Sequence, residues 1–192
     1  MILAVAVIFA LLAVVALGGS FSSLRSARLQ HEVWLPVGVG VQVLGPRLSP
    51  ESPFVAALTW VLGGLIVIAV SFANRRVFGF WLVGLGVMCN AAVILLNGGM
   101  PVSVAALGYL GVYDSGELFS TVNPMYHPAD AGSVLTVLAD VLPIPGPALM
   151  RTVVSLGDVL LMVGVVSVIL EMSGASGRFG RFSRTGMRAQ GQ

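Results

Sequence analysis

Lysine is absent from these 192 residues, and charged side chains make up only 9% of them. A soluble domain carries about 25% charged residues, because that fraction is needed to cover its surface in water. The shortage excludes a soluble enzyme, a disordered chain and a nucleic-acid reader. Cysteine is nearly missing too. Cys89 stands alone in an apolar run, which excludes an internal disulfide and a cysteine-based metal cage. Basic charge is confined to ten arginines, which give a net charge of +2 and a pI near 9.2. In so apolar a chain a surplus of this kind reports orientation rather than an acidic partner. What the sequence has in quantity is hydrocarbon: 57% of residues are hydrophobic and the mean hydropathy is +0.98. The composition is that of a polytopic membrane protein.

An α-helix needs about 20 mostly apolar residues to cross a ~30 Å hydrocarbon core. Four segments, 1–19, 54–73, 77–96 and 148–170, meet that length, and a fifth, 33–44, is shorter. The fifth is either a short span or a re-entrant segment, and charge decides between them. If all five cross, Arg25, Arg28, Arg75, Arg76, Arg178, Arg181, Arg184 and Arg188 share one side, against Arg47 and Arg151 on the other. That bias places the N-terminus outside and the C-terminus in the cytoplasm of a plasma-membrane protein. If 33–44 does not cross, the two arginine pairs land on opposite sides. The first segment also has the small residues of a cleaved secretory signal. However, no positive charge precedes it and Arg25 and Arg28 follow it closely, so a retained helix is expected.

The expected fold is all-α: a membrane helix bundle of about five transmembrane helices, residues 1–173, with a basic flexible cytoplasmic tail, 174–192. The long outer loop, 97–147, carries Asp114, Glu117, Asp130 and Asp140 and no arginine. Loops of that length are often functional. Two short interfacial helices are predicted within it. The first covers 102–110, with Pro101 in its first turn. The second covers 134–142, with Asp130 or Ser133 as cap.

Asp158 is the most informative residue. With a span over 148–170 it sits near the midplane, where an ionised carboxylate costs roughly 2.5–3.5 kcal/mol. Arg151 and Ser155 share its helical face, and Asn90 and Asn97 share a face of the preceding span. Antiparallel spans then set Asn97 level with Arg151 and Asn90 level with Asp158, two polar layers about 10 Å apart. These layers are either interhelical glue, with Gly79 and Gly86 allowing close approach, or an outward-facing site for a proton, an ion or a polar head group. His127, Asp130 and Asp140 are possible contributors from the loop. His31 and His127 fall on opposite sides of the bilayer, so no metal and no cofactor is predicted. In the tail, Arg178, Arg181, Arg184 and Arg188 are expected to contact anionic lipid. Two phenylalanines between them are too few stacking platforms for RNA.

Asn97-Gly-Gly-Met-Pro-Val and Ser155-Leu-Gly-Asp158 together resemble an uncharacterised bacterial family of small integral membrane proteins, defined by an NGG motif and a GD motif. The resemblance implies that Asn97, Gly98, Gly99, Gly157 and Asp158 belong to a shared core, and it implies no activity. Pro128-Ala-Asp130 also resembles the second aspartate motif of lipoprotein signal peptidases, whose first aspartate motif has no counterpart in this chain. Three functions follow as expectations. They are a binding or accessory membrane subunit with a polar site around Asn97 and Asp158, a small transporter or channel component using Asp158, and a membrane hydrolase pairing Asp158 with Asp130 or Asp140. Membrane lipids and a membrane-protein partner are the expected partners.

Overall fold

The computed structural model describes residues 2–112, 125–147 and 151–175. Asp114, Glu117 and the tail arginines Arg178, Arg181, Arg184 and Arg188 lie outside the described residues. The fold is mostly helical, with α1 (Ile2–Ala16), α2 (Phe21–Ser26), α3 (Trp34–Leu48), α4 (Pro53–Ala73), α5 (Phe78–Asn97), α6 (Val104–Tyr109) and α7 (Leu156–Met172). Two of these, α4 and α5, are long and apolar enough to cross a membrane.

Local chemistry sets the ends of these helices. Ser52 accepts a hydrogen bond from the Val55 N–H at 3.4 Å and Pro53 opens α4, which removes orphan donors from its first turn. Gly98, at φ +69°, takes the left-handed conformation that stops α5. Both helices fall within a residue of expectation.

The last helix does not. It begins at Leu156, eight residues later than the predicted span, because Thr152–Val154 is a β-strand and Ser155 caps the helix behind it. Three β-branched residues in a row favour the strand, and a continuous apolar run cannot reveal the change by periodicity.

The helices pack in a row: α3 on α4, α4 on α5, α5 on α7, and α7 on α1. Neighbours from α3 to α7 run antiparallel. Gly38 faces Gly63 while Gly45 faces Thr59, and Gly79 faces Val168 while Gly86 faces Gly157. The α5/α7 seam is the tightest. A Cβ on Gly86 would lie 2.5 Å from the Gly157 carbonyl oxygen, and one on Gly157 would run into the Asn90 amide.

Residues 99–112, 125–147 and 151–155 form a cap over one end of this row. Strand β1 (Met100–Val102) pairs in parallel with β2 (Tyr126–Pro128), and β3 (Leu142–Ile144) pairs antiparallel with β4 (Thr152–Val154). Met100, Met125 and Ala139 of the cap bury against Ala56 and Val61 of α4 and Ile94 of α5. Two expectations are corrected here. Pro101 lies in β1, and the first short helix starts three residues further on, at Val104, where Ser103 accepts the Ala106 N–H at 3.2 Å. The predicted helix over 134–142 is a single 3-10 turn, Thr136–Leu138, followed by β3. Leu135 ahead of it has φ +55°, which no α-helix accommodates.

Candidate functional site

Because α7 starts late, its N-terminus meets α5 beside Asn90, about 10 Å along α5 from Asn97. Ser155 and Asp158 form a capping box there. The Ser155 hydroxyl accepts the Asp158 N–H at 2.9 Å, and the Asp158 carboxylate accepts the Ser155 N–H at 3.2 Å. Asn90 closes the set. Its amide donates to Asp158 Oδ1 at 2.9 Å and its carbonyl oxygen accepts the Ser155 hydroxyl at 2.8 Å. Ser155 is fully buried and Asn90 is 2% exposed. The pairing of Asn90 with Asp158 is therefore present, at the expected level along α5. Asp158 itself is a first-turn residue that complements its own helix dipole, not a carboxylate in mid-helix.

The second expected layer does not form. Arg151 precedes β4 instead of lying on the helix, and its Nη1 donates to the Leu110 carbonyl at 2.8 Å. Asn97 instead clamps the cap. Its oxygen accepts the Val134 N–H at 2.8 Å, and its amide donates to the Val134 carbonyl at 3.0 Å and the Val93 carbonyl at 2.8 Å.

Above the start of α7, between β3, β4 and α1, lies a cleft of about 480 Å³. Asp158, Asp140, Tyr126 and Arg151 supply its polar wall, and Val5, Ile144 and Val153 are among its apolar residues. Asp140 carries the strain of the site. It is 7% exposed, and its Oδ1 is buried without a hydrogen-bond partner among the described residues. Burial pushes its carboxyl up to about 8, with the charge of Asp158 adding to the shift. The same burial, reinforced by Asp140 and Asp158, raises the Tyr126 hydroxyl well above the ordinary phenol range.

The other candidates from the loop lie apart. Asp130 is fully exposed and held below the usual carboxylate range, first by the Ser133 hydroxyl and then by the Gly132 N–H. His127 Nδ1 sits 3.1 Å from the Pro128 carbonyl oxygen and acts on Asp130 through its charge alone. His31, at φ +57°, lines a crevice with Trp34, Phe72 and Ala73 at the far end of the bundle.

Two polar residues were missed by sequence reasoning. Asn74, the C-cap of α4, holds Gln30 by both backbone groups at 2.8 and 2.9 Å. Glu171, near the C-terminus of α7, accepts the N–H groups of Phe78 and Gly79 at 3.0 Å each and so caps α5. An acid in the last turn of a helix opposes that helix's own dipole. That sign conflict was the available signal that Glu171 serves another element.

A family model described as "Family of unknown function (DUF5317)" matches residues 32–170, a range that contains Asn97-Gly98-Gly99 and Gly157-Asp158. No curated protein matches the chain, and no solved structure matches it.

Proposed function

The chain belongs to DUF5317, a family of unknown function, and from that premise we propose that it is a multi-span plasma-membrane protein whose cap forms an outward-facing binding cleft. In this reading it is a binding or accessory subunit, and the cleft over α7 is its site. The observation that carries the reading is Asp140, a carboxyl buried in the wall of a cleft, whose Oδ1 has no partner among the described residues.

Three features support the membrane setting. Polarity is inverted, with Asn90, Ser155 and Asp140 buried while Ile8, Phe9 and Leu12 of α1 are 58–64% exposed. In chain order the five helices α1, α3, α4, α5 and α7 alternate in direction, so that α1 and α7 lie parallel at one edge of the row. The alternation sets Arg47 and Arg151 at the cap end and Arg25, Arg28, Arg75 and Arg76 at the other, which fits a cap outside and a cytoplasmic far end. Finally, non-helical backbone at membrane depth is tolerated only where protein buries it or a cavity is lined by it. The late start of α7 creates such a place. On the cytoplasmic side the tail arginines add an attraction for anionic lipid.

A second reading is favoured by one observation: Asp140 and Asp158 line the same cleft. Two carboxyls in one cleft, one buried with its Oδ1 unpartnered among the described residues and one hydrogen-bonded by its neighbours, differ in environment as an acid–base pair must, so a membrane hydrolase is the alternative.

Thr152 lines the cleft and Ser26 is exposed at the far end, which permits a direct test. With Cys89 replaced by alanine, Thr152→Cys should react with an impermeant maleimide on intact cells. Ser26→Cys should react only after permeabilisation. The reverse pattern overturns the orientation and with it the outward-facing cleft.

A further inference from the structure

The chemistry of the cleft is asymmetric. Asp140 and Asp158 place two carboxyls in its wall, while Arg151, which is exposed, places a guanidinium there. Arg151 spends one N–H on Leu110, leaving the rest of its five-donor fork for a planar anion. Asp158 accepts one hydrogen bond on each oxygen, from Asn90 and from the Ser155 N–H, which holds its carboxyl in place and leaves acceptor sites over. Asp140 is not saturated, and its buried Oδ1 wants a hydrogen-bond donor. The apolar residues Val5, Ile144 and Val153 share the lining, and Val5 belongs to α1, whose outward side is hydrocarbon. A volume near 480 Å³ is within the range of small-ligand sites.

We propose that this cleft binds a zwitterionic group carrying a primary ammonium, the ammonium seated on Asp140 and Asp158 and the attached phosphate on Arg151. The proposal rests on the binding-cleft reading and names its ligand class. The shared chemistry is phosphoethanolamine, either as the headgroup of an aminophospholipid or free in solution. A quaternary ammonium fits poorly, because it has no N–H for Asp140 and, among the described residues, only Tyr126 offers an aromatic face in the wall. An anionic headgroup without the amine would set its oxygens against the carboxyls of Asp140 and Asp158 with no N–H between them.

Protonation gives a second signature. The groups facing Asp140 are Asp158 of α7, Tyr126 of β2 and Arg151 ahead of β4, with Arg47 of α3 acting on Tyr126. An ammonium stabilises the Asp140 carboxylate and releases its proton, so binding should tighten as the pH rises from 6 to 8.

The test uses the full chain, purified in mild detergent and titrated calorimetrically with three probes: dihexanoyl phosphatidylethanolamine, dihexanoyl phosphatidylcholine and free phosphoethanolamine. Phosphatidylethanolamine should bind at least about tenfold more tightly than phosphatidylcholine, roughly the value of one charge-assisted hydrogen bond. Asp140→Asn should remove that preference and the pH dependence. Arg151→Gln should weaken both lipids. Thermal unfolding of each variant shows whether it remains folded. Binding of phosphoethanolamine as tight as the lipid identifies a free ligand, and binding of the lipid alone identifies a membrane source. Equal affinity for the two lipids, or a preference that survives Asp140→Asn, overturns the inference. If cysteine labelling still reports an outward cleft, that failure leaves the binding-cleft reading standing.

Discussion

At the end of the α5/α7 pair remote from the cap, the side chains that cap the helices are matched. Glu171 takes two N–H groups of α5, and Asn74 takes both backbone groups of Gln30. At the cap end the same devices recur. Asp158 caps a helix, Asn90 ties that cap to the neighbouring helix, and Asn97 takes both backbone groups of Val134. What the cap end adds is Asp140, a carboxyl in the wall of a cleft whose buried Oδ1 has no partner among the described residues. A closed polar junction between helices is adhesive. A buried carboxyl oxygen unmatched at a cavity calls for an explanation that a closed junction does not. The cap end holds both: the closed set of Asn90, Ser155 and Asp158, and the unmatched Asp140.

The largest expected effect tests the seam both ends share. Gly157→Val drives a side chain into the Asn90 amide and the Gly86 carbonyl. It should cost about 3 kcal/mol or more in detergent unfolding. Gly40→Ala, with nothing within 4 Å of the added atom, should stay within about 0.5 kcal/mol.

Next come the two clamps. Asn90→Leu strands the Ser155 hydroxyl and one oxygen of Asp158, for a loss of about 2–3 kcal/mol. Asn74→Leu strands only the Gln30 backbone, part of which water can reach, and should cost about 1–2 kcal/mol. Equal losses would erase the distinction between the ends.

Asp140→Asn should act in the opposite direction. Its folded carboxyl is raised from 3.8 to about 8, so the folded chain holds a proton that the unfolded chain releases. Wild-type stability therefore falls as the pH rises from about 4 to about 8 and levels off above. The variant lacks that slope. It should match wild type near pH 4 and exceed it at pH 8 by on the order of 2 kcal/mol, once water in the cleft screens the charge. A variant less stable than wild type at pH 8 would mean that Asp140 has a partner.

The smallest effect belongs to the far end. Glu171→Gln keeps one acceptor for α5 and loses the charge, so it should cost about 0.5–1 kcal/mol and respond to salt.

Helices α4 and α5 were legible nearly to the residue, because long apolar runs end at Ser52-Pro53 and at Gly98, whose backbone preferences are local. The α5/α7 contact was legible in part, since Gly79 and Gly86 share a helical face with Asn90. The cap was misread for a physical reason. Residues 134–142 and 152–154 are apolar enough for either regular structure, and the pairing of β3 with β4, which an apolar run does not reveal, decides which forms.

Composition by itself determined that this chain buries its polar groups and presents hydrocarbon, because so few charges can face water. It also singled out Asp158 and Asn90, since a lone carboxylate and a lone amide in apolar runs must find partners. Where α7 begins, which groups stand above it and which carboxyl goes unmatched were decided only by the tertiary structure. Pairing β3 with β4 holds the chain in strand up to Val154, so the helix starts beside Asn90 and leaves space over its end. Asp140 lies far from Asp158 along the chain, and only the folded cap places both in one wall.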